Sequence, residues 1–182
     1  MFIDMKVILL ASLSANGMIA QADGQRSTDW TSKEDFKFFV EKTKECGVII
    51  MGRKTFETFG KPLKGRRLIV LSRGQVLNRR IDDKDGNGSV EWTQETPHEL
   101  LARLEQEGCS KIVIGGGTSI YSQFLADDLV DELFLTIEPV LFGNGVSFVS
   151  GFDRINLQLK EVTKLGEQSI LLHYAKLSVL AA

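Results

Sequence analysis

Short runs of uninterrupted apolar residues alternate along the chain with segments whose apolar positions recur every three to four residues. The first kind is the mark of a strand buried on both faces, the second of a helix with one inner face. Val7 to Leu13 reads as a buried first strand. Thr31 to Lys44 reads as a helix: Thr31 and Glu34 have capping-box spacing, Phe36, Phe39 and Val40 share a face, and Gly47 ends it. Val48 to Met51 is a second apolar strand, with a short helix over Lys54 to Phe59. Arg67 to Ser72 is a third. Asp82 to Ser89 is polar and turn-rich, carrying Asp85-Gly86-Asn87-Gly88. Thr96-Pro97 opens another helix, with Leu100, Leu101 and Leu104 inward. Lys111 to Ile114 is a strand running into Gly115-Gly116-Gly117. A helix with Ile120, Tyr121, Phe124 and Leu125 as its apolar stripe follows.

Beyond residue 130 the pattern changes. Glu132 to Ile137, Leu157 to Thr163 and Ser169 to Leu177 read as strands with no helix between them. The expected fold class is therefore α/β: a mixed, mostly parallel central sheet with an antiparallel C-terminal part, and helices on both faces in three layers. No repeat or linker divides the chain, and its 182 residues suit a single domain over 1–182.

Composition narrows the function. Lys plus Arg is 22 against 24 Asp plus Glu, so the net charge is −2. That argues against nucleic acid as a partner, because such binding leans on phosphate neutralisation. Two cysteines 63 positions apart, Cys46 and Cys109, make neither a disulfide framework nor a zinc spacing, and two histidines build no metal site. No stretch reaches the roughly 18 apolar residues of a membrane span. Lys6 before Val7-Ile8-Leu9-Leu10-Ala11 faintly resembles a secretion signal, but Asp4, Ser12, Ser14 and Asn16-Gly17 fit a buried strand and turn better. A cytoplasmic, reducing location is expected.

Three features could carry chemistry. Three glycines between a buried strand and a helix let a ligand approach the backbone and the free N–H groups of the helix start; a tight turn explains the same residues. From Arg53 to Arg73 stand seven basic residues and one acid, Glu57. Arg53, Lys54 and Arg73 follow strand ends, where ligands dock in open α/β sheets, although a solvated basic face is the ordinary meaning of such a run. Asp35 lies in the first turn of a helix, where a carboxylate is favoured by the helix dipole. Phe36, Phe38 and Phe39 surround it, and a half-buried carboxylate calls for a pair of donors such as an amidine-like ligand edge. There is no phosphate-binding Walker loop, no complete Gly-x-Gly-x-x-Gly and no Gly-x-Ser-x-Gly elbow.

Over roughly Lys6 to Phe148 these residues together resemble the dihydrofolate reductase family. Met51-Gly52-Arg53-Lys54-Thr55-Phe56-Glu57 is similar to its Met-Gly-Arg-x-Thr-aromatic-Glu segment. Pro62 to Arg66 with Ile69 to Arg73, Ile114 to Gly117 with Tyr121, Leu135-Thr136, and Trp30 five residues before Asp35 resemble its other landmarks. The resemblance implies an NADPH-dependent reductase acting on 7,8-dihydrofolate. It implies that Asp35, supported by Thr136, holds the pterin's N3 and 2-amino group, and that Trp30 bounds a water site. Leu10, Phe36, Phe39 and Leu63 would wall the substrate, with Ile114 and Tyr121 beside it, and Arg66 would pair with the glutamate carboxylate. Gly52, Arg53, Lys54, Thr55, Ser72 and Arg73 would hold the cofactor's phosphates. Gly115, Gly116, Gly117, Thr118 and Ser119 would admit its pyrophosphate, with Ser12 and Ile19 beside the nicotinamide.

The chain departs from that pattern in places. Asp29, not proline, precedes Trp30 after a long loop, and the glycine turn carries an extra residue. Asn16 to Ala20 and Glu138 to Gly143 resemble the riboflavin-pathway pyrimidine reductases, which share the fold and NADPH but reduce a ribosylamino substrate. Two alternatives to dihydrofolate reduction therefore stay open: that reductase, and a nucleotide-binding module without turnover. A monomer and a homodimer are equally compatible with the sequence.

Overall fold

The computed structural model describes residues 5–74 and 80–177. Its strands are β1 (Lys6–Ser14), β2 (Met18–Ala20), β3 (Val48–Gly52), β4 (Arg67–Leu71), β5 (Arg80–Asp82), β6 (Ser89–Thr93), β7 (Lys111–Ile114), β8 (Glu132–Glu138), β9 (Val146–Ser147), β10 (Leu157–Leu165) and β11 (Ser169–Lys176). The helices are α1 (Lys33–Cys46), α2 (Arg53–Glu57), α3 (Pro97–Gln106) and α4 (Thr118–Ala126), with a 3-10 turn at Ser27–Asp29.

Nine strands form one sheet in the order β10-β11-β8-β1-β7-β3-β4-β6-β5, and β2 pairs with β9 in a separate ribbon. From β8 to β6 the neighbours are parallel; β11 on β8, β10 on β11 and β5 on β6 are antiparallel. This is the mixed α/β sheet that the sequence pattern predicts. The continuous apolar runs follow from the topology. In β1, Val7, Leu9, Ala11 and Leu13 enter one core with α3 and α4, while Ile8 and Leu10 enter the other with α1 and α2. Strands buried on both faces cannot alternate with polar residues. Each such aliphatic side chain contributes about 1.5–3 kcal/mol.

Local signals match in most places. Gly47 caps α1 with φ of 77°, its N–H donating to the Thr43 carbonyl. Thr96 and Glu99 form a full capping box on α3, with Pro97 in its first turn. At the start of α1 the cap differs from expectation. Ser32, not Thr31, accepts the Asp35 N–H, which frees Thr31 for the Asp35 carboxylate. The short helix α2 begins at Arg53 and ends at Glu57, after which Thr58 to Gly60 turn. The polar turn at Asp82–Ser89 is the tip of a hairpin whose strands β5 and β6 the sequence does not announce. β6 mixes Ser89, Glu91 and Thr93 with Val90 and Trp92, and its core-facing pair alone is too short a run to read.

Candidate active site

Parallel strands leave their C-terminal ends along one edge of the sheet, and there the structure opens a cleft of about 1380 Å³. The ends of β1, β3 and β4, the glycine turn after β7 and the middle of β8 form its floor; α1, α2 and the segment from Ala20 to Thr31 form its walls. That segment, whose closure over the site the sequence leaves open, lines the cleft. It is tied to the α2 region by Lys54–Asp23 at 3.0 Å and by Arg26 Nε donating to the Thr58 carbonyl at 2.7 Å.

Asp35 reaches the cleft floor from the first turn of α1 and is 5% exposed. Ser12 Oγ donates to its Oδ2 at 2.7 Å. Ser12 lies directly opposite Thr136 in the β1–β8 register, so the two hydroxyls stand side by side under the carboxylate. Burial pushes the Asp35 carboxyl above the usual carboxylate range. The Thr136, Ser12 and Thr31 hydroxyls act against that rise, and the nearby Glu138 charge adds to it. A buried carboxylate held only by hydroxyls can exchange them for a stronger two-donor partner.

The glycine turn has no room for side chains. A Cβ on Gly116, whose φ is 106°, would stand 2.9 Å from Tyr121 Oη, and one on Gly117 would stand 3.1 Å from Thr55 Oγ1. Gly52 N–H donates to the Gly116 carbonyl at 2.7 Å, docking the turn against the start of α2. Arg53, Lys54 and Thr55 at α2, Ser72 and Arg73 after β4, and Thr118 and Ser119 at α4 all line this half of the cleft. Arg53 is paired with Glu57 at 2.7 Å and Lys54 with Asp23. Both pairs are exposed, so each holds its cation by only about 0–1 kcal/mol. A bare-backbone cradle flanked by hydroxyls and weakly held cations fits a dinucleotide bearing phosphates.

Of the residues singled out in the sequence, Leu10, Ser12, Ile19, Asp35, Phe36, Phe39, Gly52, Arg53, Lys54, Thr55, Leu63, Ser72, Arg73, Gly115, Gly116, Gly117, Thr118, Ser119, Tyr121 and Thr136 share this one cleft. Tyr121 is buried and its hydroxyl donates to the Leu10 carbonyl at 2.6 Å, so it braces β1 from below. Three residues lie off the cleft wall. Ile114 is fully buried in the core, because a central strand points it away. Trp30 packs edge-on against Phe142 at 5.1 Å, and its buried indole N–H has no hydrogen-bond partner among the described residues. Arg66 is 8% exposed, with Nε donating to the Lys64 carbonyl at 3.2 Å and Nη1 to Thr43 Oγ1 at 3.0 Å. It lines a shallow hollow with Gly65 and Asn87. The sequence reading also passed over Phe38, Phe134, Arg26, Lys61 and His98, which line the cleft. Two of these had a signal, Phe38 in the phenylalanine cluster beside Asp35 and Lys61 in the basic run from Arg53 to Arg73.

Strand order and the sheet-edge cleft define an α/β domain with one large site at the C-terminal ends of its parallel strands. The description "RibD C-terminal domain" matches residues 5–171, and the chain belongs to that family of reductase-type oxidoreductases. It is 34% identical over 181 residues to a dihydrofolate reductase of Neisseria meningitidis serogroup B, covering 94% of this chain and 99% of that protein. It is 29% identical over 180 residues to YwjB of Bacillus subtilis, covering 94% and 98%. A putative riboflavin biosynthesis protein from Shewanella superposes with a TM-score of 0.79 at 20% identity, covering 96% of this chain and all of that one. Dihydrofolate reductase from Enterococcus faecalis, complexed with NADP(H), superposes with a TM-score of 0.67 at 22% identity, covering 97% and 99%. Among the described residues no helix is long and apolar enough to cross a membrane.

Proposed function

We propose that the protein is an NADPH-dependent reductase whose first substrate is 7,8-dihydrofolate. The observation that carries this reading is Asp35, a buried carboxylate on the cleft floor held by hydroxyls alone. NADPH, when bound along the glycine turn, supplies the hydride. The chain supplies the rest. Asp35 takes the two parallel N–H donors of the substrate's amidine-like edge in place of the Ser12 and Thr136 hydroxyls and fixes the ring in the cleft. Its charge, poorly solvated there, favours the substrate protonated at N5, the proton coming from water. Leu10, Phe36, Phe39 and Leu63 exclude water from the ring faces. Arg73, Arg53 and Lys54 hold phosphates, the 2′-phosphate among them. Loss of reduced-nicotinamide absorbance with and without dihydrofolate tests the reading; no dihydrofolate-dependent oxidation refutes it.

A second reading has its own support. The Arg66 guanidinium is bonded inside the fold, whereas Arg26 and Lys61 line the cleft. A phosphate-bearing ribosylamino-pyrimidine would suit such a pair of basic side chains, and the family match is compatible with it. That substrate, offered in the same assay, separates the two. Binding of NADPH with turnover of neither would favour a nucleotide-binding module.

A further inference from the structure

Glu138, the last residue of β8, is a carboxylate that the proposed chemistry leaves unused, and it is 2% exposed. Its Oε1 accepts both the Ser32 N–H and the Ser32 hydroxyl at 2.8 Å, and its Oε2 accepts the Ser169 hydroxyl at 2.5 Å. Ser32 is the cap of α1, and its Oγ accepts the Asp35 N–H at 3.1 Å. The chain of contacts therefore runs from β11 through Glu138 and Ser32 to Asp35. Thr136, two residues back on the same face of β8, sits at the Asp35 carboxylate. Neither carboxylate is ion-paired with a lysine, arginine or histidine among the described residues.

We propose that Glu138 is a positioning residue for Asp35: it locks the first turn of α1 through Ser32 and sets a second buried negative charge behind the cleft carboxylate. The surroundings leave few other contributors. Asp35 is faced by Ser12 from β1, Thr136 from β8, Thr31 from the preceding turn and the Tyr121 phenol from α4. That phenol is pushed well above the tyrosine range, first by burial and then by the Asp35 charge, and stays neutral. Glu138 is faced by Ser32 from α1, Ser169 from β11 and, across the β1 register, Ser14, none of them charged. The Glu138 charge is one cause of the raised Asp35 proton affinity, after burial. Its effect on the reaction rests on Asp35 being the substrate-facing group; the titration itself does not.

The test uses the whole chain with carboxyl-13C aspartate and glutamate, followed by NMR against pH, with the Asp35 signal assigned by Asp35→Asn. In Glu138→Gln, which keeps an oxygen for Ser32 but removes the charge, the Asp35 midpoint falls, since a like charge has gone. In Glu138→Ala, which removes the anchor as well, exchange of the Asp35 backbone N–H speeds up about tenfold or more relative to the Gln variant. An unmoved or raised Asp35 midpoint in Glu138→Gln overturns the electrostatic part of the proposal. Equal exchange in the Ala and Gln variants overturns the anchoring. Absence of dihydrofolate turnover with the titration as stated overturns only the functional proposal.

Discussion

Replacing Asp35 by Asn should separate stability from activity. The carboxylate is buried under the Ser12, Thr136 and Thr31 hydroxyls, and burial raises its proton affinity above that of the unfolded chain. The folded state therefore binds the proton more tightly than the unfolded state does. The associated stability is fully present below the unfolded pKa and is lost as pH rises through the folded pKa. At neutral pH the ionised wild type carries that cost and an amide does not. The Asn variant should be as stable as the wild type or more so at pH 7, and the difference should vanish in acid. The helix cap is untouched, because it uses the Asp35 backbone N–H and the Ser32 hydroxyl. Activity goes the other way. Two charge-assisted hydrogen bonds of about 1.5–3 kcal/mol become at best one neutral bond of about 0.5–1.5 kcal/mol, with a substrate donor left facing an amide N–H. The net loss is about 1.5–5.5 kcal/mol of transition-state stabilisation, or roughly 10–10⁴-fold in kcat/KM. The assay is steady-state NADPH oxidation with dihydrofolate at pH 7, beside thermal unfolding across pH 4–8. Turnover within about threefold of wild type would reduce Asp35 to a helix-start residue. A large loss of stability at pH 7 would refute the sign of the linkage.

Arg66→Leu should lower stability by about 1–3 kcal/mol, because it removes the donor to Thr43 Oγ1 and the Lys64 carbonyl, and should change KM for dihydrofolate and for tail-less dihydropterins alike; a roughly tenfold rise confined to dihydrofolate would place Arg66 at the glutamate tail after all. Arg73→Ala should narrow the preference for NADPH over NADH about tenfold or more and leave dihydrofolate affinity unchanged, read from initial rates with each cofactor; equal use of both cofactors by the wild type refutes the premise. Gly116→Ala should lower stability by about 1–3 kcal/mol, because its Cβ meets Tyr121 Oη at 2.9 Å at a φ of 106°, and should abolish NADPH binding in fluorescence titration; unaltered binding and Tm would show that the turn can yield.

Much of the fold was legible because its causes are local. The apolar runs of β1, β3, β4 and β7 report burial on both faces, and Thr96-Pro97 and Gly47 mark helix ends through groups within one turn. The Ser32 cap was misread by one position because Thr31 and Ser32 are equally good caps locally. What separates them is Glu138, 106 residues away in sequence, which binds Ser32. Strand β5 escaped notice because it is a three-residue edge strand, and β6, although paired on both sides, because only Val90 and Trp92 of its five residues are apolar.

The candidate site divides in the same way. The amino-acid sequence by itself determined that a carboxylate begins a helix among phenylalanines, that cations follow two strand ends and that three glycines follow a third. Tertiary structure alone decided that these meet. Parallel pairing of β8, β1, β7, β3 and β4 sets their C-terminal ends along one edge, and the β1–β8 register places Ser12 opposite Thr136 beneath Asp35. It also decided that Arg66 bonds inward to Thr43, that Ile114 points into the core, and that Asp23 and Arg26 fasten the long segment to the α2 region. Periodicity and capping act within a few residues, so sequence carries them; register and strand order join residues more than a hundred positions apart, and their energetics exist only once the sheet has assembled.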